Sequence, residues 1–140
     1  VTLALLLVGE LAELTHHFLF VASMAASSVL LFGFPDSAFS QPRNFIGGNL
    51  ICALIGLAFT HVLGASFLTA AFATGTATAA MMMTDTLHPP AAANPLIIFS
   101  LHAGWSYVLF PTLCGDLVVL GVALLYHYLT RKERYPHYWF

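Results

Sequence analysis

Between Arg43 and Asp85 the chain carries no Asp, Glu, Lys or Arg. At about 1.5 Å per helical residue and about 20 residues per bilayer crossing, that interval is long enough to cross a membrane twice. A soluble core would need a polar surface, and this sequence has none to offer. It is 59% hydrophobic and 7% charged, where soluble domains average about 45–50% and about 25%. The sequence therefore predicts an all-α integral membrane protein.

The remaining charges define the ends. The basic residues gather in the closing "RKERYPHYWF", which under the positive-inside rule marks the cytoplasmic side. No basic patch with interleaved aromatics exists elsewhere, so nucleic acid is not an expected partner; the lipid bilayer is. Cys52 and Cys114 fall in apolar runs and read as small packing residues. The chain opens at Val1, and nothing is read from its beginning.

Four spans are expected: near 1–17, over 45–64, from about 67 to 84, and over 107–130. Gly64, Ala65 and Ser66 turn the second into the third. Along that third span Ala71, Gly75 and Ala79 recur every four residues, a small-residue stripe suited to close helix packing and compatible with a homo-oligomer. Two shorter apolar segments are left, 18–34 and 91–105, in the length range where re-entrant or broken helices occur. They align at an offset of 67 residues, "AASSVLLF" (25–32) over "AANPLIIF" (92–99). Applied to the whole chain, the offset predicts a two-fold internal repeat in a single membrane domain of residues 1–140. The first repeat covers about 1–64, the second about 65–130, and the tail 131–140.

The stretch "TLHPPAAANP" (86–95) sharpens the second short helix. Pro89, Pro90 and Pro95 forbid continuous helix, because proline lacks a donor and biases its predecessor away from helical geometry. Helix is expected to restart at Pro95 with Asn94 as N-cap, and Ser27 holds the equivalent place in the first half. A helix beginning inside a bilayer presents bare N–H groups to an anion. A helix terminus contributes about 0.3–1 kcal/mol to a nearby charge, too little to hold a dehydrated ion, so direct donors are needed. Candidate substrate-binding residues are Ser23, Ser27, Ser28, Asn49, His88 and Asn94.

Asp36, Arg43 and Asp85 are vestibule or gating candidates. Arg43 either attracts anions there or pairs with Asp36. His88 is a pH-sensitive gate or a ligand, or else its ring satisfies a backbone carbonyl. Asp116, an ionisable residue inside the last span, is the proton-coupling candidate. His16, His17, His61, His102 and His127 lack the spacing of a metal site, so neither metal nor cofactor is expected. No nucleophile, base and orienting group share compatible places, and no enzyme is expected.

The motifs "MAASSVLLFGFPDSAFSQPRNFIGGNL", "TLHPPAAANPL", Gly104-Trp105 before Pro111, and the closing "RYPHYW" resemble the HPP family of small membrane proteins, named for its His-Pro-Pro signature. The resemblance covers about residue 21 to the tail. It implies four membrane-spanning helices and transport of nitrite or a similar small inorganic anion. It also implies residence in a bacterial cytoplasmic membrane or a chloroplast envelope, with the C-terminus cytoplasmic or stromal. Two positions depart from the family pattern: Ala91, Ala92 and Ala93 stand where glycine is common, and Asp85 where a basic residue is common. The function expected is small-anion transport, nitrite first. Its rivals are transport of another small solute, proton-coupled through Asp116, and a non-transporting membrane scaffold.

Overall fold

Prolines, glycine and short polar caps set the helix boundaries. The computed structural model describes residues 1–15, 18–130 and 134–139, and among them are six α-helices and no strand. They are α1 (Thr2–Thr15), α2 (Phe18–Gly33), α3 (Pro42–Leu63), α4 (Phe67–Met83), α5 (Asn94–Leu101) and α6 (Cys114–Thr130). Pro42 occupies the first turn of α3, where its missing N–H costs nothing. Gly64 ends that helix at φ 82, in the left-handed region that favours glycine. Ser66 then caps α4, its Oγ accepting from the Thr69 N–H at 3.1 Å.

The helix ends gather at two poles. At one, Arg43 Nη2 donates to the Thr84 carbonyl at 2.8 Å, and Tyr135 Oη to the Ser40 carbonyl at 2.8 Å. Gln41 holds the same pole: its Nε2 donates to the Pro35 carbonyl at 2.8 Å and its Oε1 accepts from the His137 N–H at 2.9 Å. At the other pole the His61 and Trp105 rings lie 5.4 Å apart. Phe20, at the start of α2, meets Tyr107 edge-on at 6.1 Å, while His127 near the end of α6 bonds the Leu31 carbonyl at 2.8 Å. The six segments therefore alternate in direction, and α3 and α6 are antiparallel.

The poles bear on the expectation of four spans with two re-entrant helices, whose alternative is that both short helices cross fully and bring Arg43, His88 and the tail to one side. The four-span arrangement puts Arg43 and His88 opposite the C-terminal tail, whereas the structure gathers Arg43, the link 84–88 and residues 135–137 at one pole. The "RKER" cluster falls largely outside the described residues, as do His16 and His17. Helix α2 is an unbroken 16 residues, about 24 Å long, and it runs from pole to pole. Serine does not break it, because Ser27 Oγ reaches the carbonyl of Ser23, four residues back, at 3.0 Å. The counterpart of α2 in the second half is interrupted. There a 3-10 turn, Pro89–Ala93, leads into α5.

Pro42–Leu63 (22 residues) and Trp105–Thr130 (26 residues, interrupted at Phe110) are long and apolar enough to cross a bilayer. Phe20–Gly33, Phe67–Met83 and Pro89–Leu101 are apolar but shorter. The packed interior centres on Phe20, Met24, Leu31, Phe45, Ile98 and Tyr107. Large apolar side chains such as Leu6, Phe67, Phe72, Leu117 and Leu125 face outward, as lipid contact requires and water would penalise.

Candidate functional site

Beneath that apolar exterior lies a string of polar side chains. Tyr107 Oη donates to Asn94 Oδ1 at 3.3 Å, Asn94 Nδ2 to Asn49 Oδ1 at 3.0 Å, and Asn49 Nδ2 to Asp116 Oδ1 at 2.9 Å. All four residues are fully buried. Each amide accepts on one side and donates on the other, so the bonds polarise one another toward the Asp116 carboxylate. Among the described residues, Asp116 Oδ2 and Thr112 Oγ1 are buried without a hydrogen-bond partner.

Glycines bring these elements together. A Cβ on Gly48 would stand 2.8 Å from the Thr86 carbonyl oxygen and 2.9 Å from His88 Cβ; one on Gly56 would stand 2.9 Å from Pro95 Cα. The link and α5 can therefore lie directly against α3. This places Asn94 opposite Asn49.

A second cluster forms around His88, which is fully buried against the Phe45 ring. Its Nδ1 lies 2.7 Å from the Phe39 carbonyl, an acceptor only, so Nδ1 carries a proton. Its Nε2 lies 2.9 Å from Ser27 Oγ, which is also 3.0 Å from the Ser23 carbonyl. One hydroxyl proton cannot serve both. With a neutral ring Ser27 donates to Nε2; with a protonated ring it accepts from Nε2–H and donates to Ser23. Ser23 Oγ in turn donates to the Pro90 carbonyl at 3.1 Å.

The expected binding residues thus fall into two groups. Ser23, Ser27 and His88 share one, Asn49, Asn94 and Asp116 the other, and Ser28, buried without a hydroxyl partner, joins neither. Asn94 is not an N-cap. Its backbone is helical at φ −58, ψ −44 and its side chain is taken up by Asn49 and Tyr107. Two helix starts meeting inside the bundle are therefore not what the structure has. Among the described residues the chain breaks between His88 and Asn94 and again at Phe110 in the last segment.

Of the expected vestibule residues, Arg43 and Asp85 line one cavity of about 510 Å³ together with Asn44, Leu87 and Tyr138. Arg43 turns to the Thr84 carbonyl, while Asp36 pairs with His137 at 3.0 Å. Tyr107, Thr112 and Phe39 were not singled out from sequence. The bond between Asn49 and Asp116 spans 67 positions. That spacing places "GNL" (48–50) over "GDL" (115–117), the signal that could have paired them.

Alternating helices with an apolar exterior and a buried polar string define a polytopic membrane protein. The chain belongs to the HPP family: the family model described as "HPP, transmembrane region" matches residues 1–136. Two transmembrane proteins of Dictyostelium discoideum are similar to it. One is 34% identical over 127 residues, covering 85% of this chain and 41% of its own length. The other is 36% identical over 127 residues, with 85% and 45% covered. The chain spans less than half the length of these curated relatives. No solved structure matches it.

Proposed function

We propose that this chain is the membrane domain of a transporter for a small inorganic anion, with nitrite the first substrate to test, and that all six segments cross the bilayer as an inverted repeat. Three crossings per half invert the second half relative to the first. The packing agrees: α1 lies on α6 as α4 lies on α3, α1 on α2 as α4 on α5, and α2 on α6 as α5 on α3. Both the Asn49–Asp116 and the Ser23–Pro90 hydrogen bonds join positions 67 apart. Equivalent residues touch only at a two-fold axis.

The observation that carries the functional reading is the buried Asn49–Asp116 pair at that axis. An anion about 4 Å from an ionised carboxylate is repelled by about 4 kcal/mol at an effective dielectric of about 20. Neutralising Asp116 removes that barrier and leaves the Asn49 amide, which now donates to the carboxylate, available to a solute. Anion passage and cation binding at Asp116 are then linked, which makes the transporter a symporter. Nitrite is named because the family resemblance implies it, and a small planar anion suits a site built from amides and hydroxyls. The test is nitrite uptake into liposomes holding only this protein. Uptake no faster than in empty liposomes, under any pH or salt gradient, would favour a scaffold.

A further inference from the structure

Several hydroxyls of the helices share a habit from which Thr112 departs, as Ser28 does in α2. Thr74, Thr78, Ser100 and Thr130 each donate to the carbonyl four residues earlier, at 2.7–2.9 Å. Thr112 does not, although it is fully buried. The chain explains why. At Phe110, with φ −128 and ψ 119, the backbone leaves helical geometry, and a π turn covers Leu109–Leu113, so the preceding turn is not aligned to receive the hydroxyl.

Thr112 stands four residues before Asp116, hence on the same face of the helix. Asp116 Oδ2 is likewise buried without a partner among the described residues. Two oxygens without hydrogen-bond partners, one of them a carboxyl oxygen, thus lie on the same face of a broken helix. Carboxylate, hydroxyl and amide oxygens suit a hard cation and not a soft one. The charge decides its valence. An ionised Asp116 supplies one negative charge, and Tyr107 is the other titratable side chain on the string. A divalent ion would leave a buried charge uncompensated, whereas a monovalent ion closes the balance. Broken transmembrane helices, whose unwound carbonyls coordinate sodium, are a recurring setting for such sites.

We propose that Asp116 Oδ2 and Thr112 Oγ1 bind a monovalent metal cation of sodium's class at the break in the last helix. The cation's role as coupling ion rests on the transport reading above; its binding does not, and is measured with no anion substrate present. The purified full chain in detergent is heated in sodium chloride or in choline chloride at equal ionic strength and constant alkaline pH. Sodium is expected to raise the unfolding midpoint saturably, as a ligand of the native state does. Thr112→Val is expected to weaken the apparent sodium affinity at least about tenfold, Thr112→Ser to keep it, and Asp116→Asn to abolish it. Should Asp116→Asn fail to fold, the Thr112 pair carries the test. Equal midpoints in sodium and choline would overturn the proposal, as would a Thr112→Val protein that responds like the parent. A midpoint governed by pH alone would assign the carboxylate a proton instead. A stronger saturable response to calcium would overturn the valence. Nitrite uptake that persists in choline would separate failure of the cation site from failure of the transport reading.

Discussion

Replacing Gly48 by alanine tests how closely the link 84–88 is pressed against α3. The new Cβ would lie 2.8 Å from the Thr86 carbonyl oxygen, 2.9 Å from His88 Cβ and 3.1 Å from Met81 Sδ, where ordinary contact begins at 3.4 Å. The methionine sulfur can swing aside, but the carbonyl belongs to the backbone. Overpacking of this kind costs about 1–3 kcal/mol, and with a rigid neighbour the upper half of that range applies. Alanine returns about 1 kcal/mol through its better helix propensity, leaving a net loss of about 1–2 kcal/mol. Gly121 is the matched control, since a Cβ there meets nothing within 4 Å and its substitution gains up to about 1 kcal/mol. The assay is thermal unfolding in detergent, followed by reaction of the fully buried Cys52 thiol with a fluorescent maleimide in a Cys114→Ala background. Gly48→Ala is expected to melt below its parent and Gly121→Ala at or above it. A Gly48→Ala protein as stable as the Gly121→Ala protein would refute the close approach.

Three further outcomes follow from the same geometry. With both native cysteines removed, Arg43→Cys and His137→Cys are expected to react with an impermeant thiol reagent from the same side of sealed vesicles, and Gly104→Cys from the opposite side; labelling of positions 43 and 137 from opposite sides would refute the six-crossing arrangement. Ser27→Ala strips His88 Nε2 of its partner and is expected to cost about 1–3 kcal/mol in the same melting assay, with Ser27→Thr keeping most of it; no loss in Ser27→Ala would refute the bond. Burial pushes the Tyr135 hydroxyl up from its ordinary value. In alkali, from about pH 10, the unfolded chain releases a proton that the native chain retains, so stability falls as pH rises; Tyr135→Phe is expected to flatten that part of the profile, and an unchanged slope would contradict it.

Much of the helix layout is legible in the residues. The uncharged interval expected over 45–64 is Pro42–Leu63, the turn at 64–66 is capped by Ser66, and the last span ends at Thr130. These boundaries are set by local chemistry: proline, glycine, a serine cap and the loss of polar side chains. The prolines also mark the interruption before α5 correctly, yet they begin a 3-10 turn at Pro89 and do not delay the helix until Pro95. Asn94 shows why. A buried amide must find partners, and its partners Asn49 and Tyr107 lie 45 and 13 positions away, beyond the reach of a local capping argument. Ser27 misled in the opposite sense, for its hydroxyl lies beside the Ser23 carbonyl one turn back and the His88 ring, and α2 runs on unbroken. The docking of Tyr135 and His137 on Ser40 and Gln41, 95 and 96 positions distant, leaves no local trace.

Nitrite influx into liposomes containing the full chain or its Asp116→Asn variant, with and without an inward cation gradient, bears most directly on linkage between anion passage and the buried carboxylate. The account predicts gradient-driven accumulation in the parent. In Asp116→Asn, where the carboxylate that binds the cation is gone, it predicts influx that no longer responds to the gradient. Accumulation in the variant that follows the gradient as in the parent would contradict the assignment of Asp116 as the charge that must be neutralised.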